Sequence, residues 1–91
     1  MEKGKNSPEE YRVALIGIVV ENFETVEKLN VILHKYSEYI IGRMGVPYKK
    51  RGISVISVAV DAPADKISAL SGAIGMLDGI SSKTIYSNLK A

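Results

Sequence analysis

Residues 39–61, YIIGRMGVPYKKRGISVISVAVD, decide the fold. Two apolar runs, Ile40 to Tyr48 and Ile53 to Val60, flank the turn Lys49-Lys50-Arg51-Gly52. Val- and Ile-rich runs on either side of a basic turn closed by glycine predict two paired strands. One residue interrupts the pattern: Arg43 puts a guanidinium inside the first run, between Gly42 and Met44. Pro47 lies in the same run and has no N–H to give to a ladder, so this strand belongs on a sheet edge. Gly42 and Gly45 suit an edge as well.

Outward from this hairpin, the pattern changes period twice. Arg12 to Val20 is a Val/Ile-rich run bounded by Glu21-Asn22 and predicts a buried strand. From Thr25, a turn of 100° per residue puts Val26, Leu29, Ile32, Leu33 and Tyr36 on one stripe, with Glu27, Lys28 and Lys35 pointing away. That is an amphipathic helix. Asp61-Ala-Pro-Ala-Asp opens a second helix, with Pro63 near its first turn and Asp65 complementing its dipole. Its core stripe is Ile67, Leu70, Ala73, Ile74 and Leu77; Asp78-Gly79 ends it, and Lys83 to Ser87 forms a fourth strand.

The order β-α-β-β-α-β contains an internal repeat. Val20-Glu21 corresponds to Val60-Asp61, and a shift of 41 residues carries Val26, Leu29, Leu33 and Tyr36 onto Ile67, Leu70, Ile74 and Leu77. Two copies of one unit predict the split βαβ pair of the ferredoxin-like α+β sandwich, with both helices on one face of an antiparallel sheet. The strand order of that fold is 4-1-3-2, which places the Pro47 strand on an edge. One domain spans 11–88, with a polar tail over 1–10 and a short tail over 89–91.

Composition removes several function classes. The 91 residues contain no Cys, which excludes disulfides, iron–sulfur ligation and thiolate metal sites. A net charge of +2 is too small to imply a polyanion partner. The longest apolar run, Val13 to Val20, is too short for a membrane span and contains Gly17. MEKGKNSPEEY has no apolar segment of the secretory kind, so a cytoplasmic location is the default expectation.

The sheet has a second face, and it is unusually apolar. In the first strand both alternating sets, Ala14/Ile16/Ile18/Val20 and Val13/Leu15/Gly17/Val19, lack polar residues. In the third, Ile53/Val55/Ser57/Ala59 lies opposite Ile56/Val58/Val60. An antiparallel sheet with one wet face alternates apolar with polar. Either central strands simply tolerate some exposed aliphatics, or, as expected here, a second subunit covers the helix-free face, in a homodimer or homotetramer. A guanidinium under the helices is costly without a partner, so Arg43 is expected on the helix-free face, near Gly17 or Ser57 or toward the edge. There it would make an ion pair across the interface or clamp an anionic effector.

Few residues could carry chemistry. His34 is the single histidine and falls away from the core stripe of its helix, as a solvated residue would. No His/Cys cluster offers a metal site, and no cofactor is indicated. The loop Glu21-Asn22-Phe23-Glu24 could seat a ligand, with Glu21 and Asn22 as candidates beside Arg43, or Asn22, Glu24 or Thr25 could cap the helix. Asp61 has the same two readings after the third strand. Ser68, Ser71, Gly72 and Gly75 form a small-residue side of the second helix, suited to close approach by the first helix or another subunit. Lys49-Lys50-Arg51 reads as a solvated turn, and no motif for direct nucleic-acid binding is present.

Together, RVALIGIVVEN, YIIGRMGVPY, GISVISVAVDA and ISALSGAIGMLDGISSKT resemble the family of iron-only hydrogenase system regulators, over about Arg12 to Ser87. The resemblance implies a ferredoxin-like domain of the ACT type, similar also to the C-terminal domain of the nickel-responsive repressor. Such domains oligomerise through their sheets and often sense small molecules. ACT domains commonly carry a glycine in the loop where this chain has Glu21-Asn22-Phe23-Glu24. The His and Cys ligands of the nickel-responsive domain have no counterpart set here. The expected function is a non-enzymatic regulatory module binding a small, anionic effector or a partner protein. The alternatives are a scaffold without a ligand and, third, a small enzyme.

Overall fold

The computed structural model describes residues 10–88. The tails expected over 1–10 and 89–91 lie outside the described residues, Glu10 excepted. Six elements follow one another: β1 (Tyr11–Val20), α1 (Glu24–Lys35), β2 (Ile40–Tyr48), β3 (Ile53–Pro63), α2 (Ala64–Gly75) and β4 (Ile80–Tyr86). Short 3-10 turns, Ser37–Tyr39 and Lys49–Arg51, precede and follow β2. All pairings are antiparallel, in the order β2-β3-β1-β4. This is the βαββαβ ferredoxin-like arrangement, with β2 and its Pro47 on an edge.

Two strands are longer than the sequence pattern predicts. β3 continues through Asp61, Ala62 and Pro63, which pair with Val13, Arg12 and Tyr11. Pro63 therefore closes a strand, with φ −57° and ψ 146°, and as the N-cap residue it stands immediately before the first turn of α2. Asp61 lies inside this strand, which corrects its assignment to a loop. β4 starts at Ile80 because Ile80, Ser81 and Ser82 pair with Val20, Val19 and Ile18. A ladder offered by a neighbouring strand outweighs the weak intrinsic preference of Asp, Pro and Ser for extended backbone.

The core lies between the sheet and both helices. Ile16, Ile18, Val20, Val58 and Val60 from the central strands meet Leu29 and Leu33 of α1 and Ile67, Leu70 and Ile74 of α2. Each such side chain contributes about 1.5–3 kcal/mol by leaving water. Val26, Ile32, Tyr36 and Leu77 pack around the rim of this cluster. The predicted helical stripes are thus the buried ones. The small-residue side of α2 does not receive α1: nothing lies within 4 Å of a Cβ built on Gly72 or Gly75. Ser71 is used within the domain, its hydroxyl 2.7 Å from the hydroxyl of Thr84 on β4.

One irregularity in β2 changes where its side chains point. Ile40 pairs with Val60 and Gly42 with Ala59, so Ile41 is an extra residue in a bulge. A bulge inserts one residue and reverses the facing of everything after it. From Gly42 onward, Gly42, Met44 and Val46 pair with Ala59, Ser57 and Val55 on the helix-free side. Arg43 instead stands opposite Val58, which is fully buried beneath the helices. The assignment of Arg43 to the helix-free face is therefore corrected. Strict alternation holds only in an unbroken strand.

Candidate functional site: a groove between the first helix and the edge strand

Arg43 avoids the cost of a buried charge because it is on the outermost strand, where the helix layer ends. Its Nη2 donates a 2.7 Å hydrogen bond to the side-chain oxygen of Asn30 on α1. His34 follows Asn30 by four residues and so lies on the same side of the helix. Ser37 comes from the 3-10 turn that leads into β2. With Leu33 and Ile40, these residues line an open groove of about 290 Å³. The groove has an aliphatic floor, one permanent cation, an imidazole, a hydroxyl and an amide, and among the described residues no carboxylate lines it. His34 is exposed, as its helical position predicts. Its neighbourhood with Arg43 was not legible, because periodicity does not say which side of α1 receives β2.

Glu21 and Asn22 lie elsewhere. The Glu21 N–H donates to the carbonyl of Gly79 at 2.6 Å, joining the β1–α1 loop to the loop before β4. The Asn22 side-chain oxygen accepts the Glu24 N–H at 3.0 Å, and its backbone carbonyl accepts the Thr25 N–H at 2.9 Å. Asn22 thus closes a local turn ahead of α1, whose N-cap residue, Phe23, makes no side-chain capping bond. Thr25 is buried and donates its hydroxyl to the carbonyl of Asp78 at 2.9 Å. The ladder runs from Arg43 through Val58 to Ile16, and Glu21 follows Ile16 by five residues. That separates Glu21 from Arg43 by about 16 Å along the strands and about 10 Å across them. The three candidate residues do not form one site.

The helix-free face is a third feature. Leu15, Met44, Val46, Val55 and Ile85 are all exposed, from 39% for Val55 to 66% for Ile85. They come from all four strands, and Leu15 stands between Ala59 and Ile85 in adjacent ladders. A shallow depression of about 230 Å³ is lined there by Val13, Leu15, Ala59 and Ile85 among others. Lys83 stands opposite Gly17 in the same layer. Among the described residues, no group of three His, Cys, Asp or Glu side chains could hold a metal ion, and no helix is long and apolar enough to cross a membrane.

Solved structures with the same architecture include the protein TM1266 from Thermotoga maritima, at 32% identity and a TM-score of 0.81, covering 85% of this chain and 98% of that one. A formyltetrahydrofolate deformylase from Pseudomonas putida KT2440 matches at 14% identity and a TM-score of 0.62, over 85% of this chain and 29% of that one. CPII, a nitrogen regulatory PII-like protein from Thiomonas intermedia K12 bound to ADP, AMP and bicarbonate, matches at 17% identity and a TM-score of 0.54, over 88% and 94%. The last two likenesses show a shared fold alone. Among curated proteins none matches the chain. Residues 12–84 match the TM1266-like family, described as "Iron-only hydrogenase system regulator, putative". With this match over most of its length, and a 32% identical solved relative, the chain belongs to the TM1266-like family.

Proposed function

We propose that the chain is a non-enzymatic regulatory module of an iron-only hydrogenase system. In this reading it works as a homo-oligomer through the helix-free face of its sheet and responds to a small effector or a partner protein. The observation that carries the reading is the apolar layer of Leu15, Met44, Val46, Val55 and Ile85, spread over every strand of the sheet. Exposed apolar side chains on every strand of one sheet face, with only Ser57, Gly17 and Lys83 between the Leu15/Ile85 and Val46/Val55 groups, mark a site of association. A second copy is the occupant that suits it: a two-fold axis lays the same patch against itself, and the patch is shared by both edge and both central strands. Asp61 and Lys83 contribute one charge of each sign to this layer, opposite Val13 and Gly17, and a two-fold partner can match them.

Arg43 is the residue assigned to an anionic effector. Glu21 and Asn22 are supporting elements of the β1–α1 loop. Native mass spectrometry of freshly purified protein tests the reading. The expected result is a dimer or tetramer carrying additional mass. An assembly without retained mass favours a scaffold, and a bare monomer overturns the interface.

A further inference from the structure

Resting on the reading of the module as effector-binding, we infer that the groove between α1 and β2 is an oxyanion site. It takes a small carboxylate or phosphate on Arg43, flanked by His34 and Ser37. Three observations converge on it. The bulge at Ile41 turns Arg43 out of the apolar face and into the groove. Bulges commonly re-aim a side chain beside a functional site. The guanidinium has five N–H donors, and its hydrogen bond among the described residues goes to the neutral Asn30 amide. A planar cationic fork held by a neutral acceptor keeps its charge and most of its donors for a ligand. The rest of the lining is complementary: His34 and Ser37 can donate, no carboxylate among the described residues competes, and Leu33 and Ile40 supply an apolar floor.

The volume of about 290 Å³ sets the scale of the ligand. It lies at the lower bound for small-molecule pockets, so the ligand is a compact acid or phosphate and not a dinucleotide. Asn30 is a positioning residue. It fixes the guanidinium at the mouth of the groove without neutralising it.

The test is an NMR titration of the full chain at constant ionic strength, with inorganic phosphate in one arm and succinate in the other. His34 is the single histidine, so its ring signals report on the groove without overlap. The expected result is a saturable shift of the His34 ring and the Asn30 side-chain amide with at least one probe. A phosphate-only response identifies a phosphate source, and a succinate-only response a carboxylate source. Arg43→Gln is expected to weaken binding at least tenfold. Asn30→Asp supplies an internal carboxylate to the same guanidinium with almost no change of shape, and is also expected to weaken binding at least tenfold. Preserved signal dispersion in both variants verifies that they fold. Absence of saturable shifts with either probe, or undiminished binding in both variants, would overturn the site. If the assembly retains a small molecule while the groove stays silent, the effector reading stands and this location falls.

Discussion

Arg43 on the edge strand and Asn30 on α1 are joined by a 2.7 Å hydrogen bond that links the edge strand to the helix layer. The bond is exposed, and water can replace either partner. Its contribution to folding is therefore small, while its charge is available. Arg43→Ala is expected to change the unfolding free energy by less than about 1 kcal/mol. Urea titrations with and without a bound anion separate the two roles. Ligand-dependent stabilisation should vanish in the variant, and a variant that binds like the parent would remove Arg43 from the site.

The bulge makes a prediction of its own. Because Ile41 is the extra residue, deleting it leaves the pairing of Gly42 to Tyr48 with β3 in place. Arg43 then stays opposite Val58 and near Asn30. The deletion is expected to preserve the Asn30 side-chain amide resonance. Its displacement would mean that the strand had slipped by one residue and carried Arg43 to the other face.

Two left-handed glycines differ in what surrounds them. Gly52 has φ 68° and open space about a would-be Cβ, whereas Gly79 has φ 71° and would place a Cβ 3.0 Å from the Cβ of Asn22. Gly52→Ala meets the conformational cost alone, about 1 kcal/mol. Gly79→Ala must also push the β1–α1 loop away from the loop before β4. Its loss of stability should exceed that of Gly52→Ala by about 1 kcal/mol or more. Equal losses in chemical denaturation would show that the loops separate freely.

Val55 and Val58 are three residues apart on one strand and face opposite ways. Val58 is fully buried and Val55 is 39% exposed. Val58→Ala is expected to cost about 2 kcal/mol in urea, from lost burial plus the cavity left behind. Val55→Lys should leave the fold of one subunit intact and dissociate the proposed homo-oligomer, as read by light scattering. An unchanged mass for Val55→Lys would mean that the helix-free face is not the interface.

Much of the architecture was legible in the chain because it rests on local periodicity. The stripe through Leu29 and Leu33 marks a helix; the Val- and Ile-rich runs around Ile16 and Val58 mark central strands; Pro47 marks an edge. The repeat that maps Leu29 onto Leu70 joins these elements into one topology. The ends of β3 and β4 were not legible, since Asp61, Pro63 and Ser81 are extended by pairing with β1 and not by their own preference. Arg43 shows the same division more sharply. By itself the sequence determined that a guanidinium sits in an edge strand with an apolar sheet beside it. Only the tertiary structure decided which face it takes, because one unpaired residue at Ile41 reverses a period of two and no local pattern records that insertion.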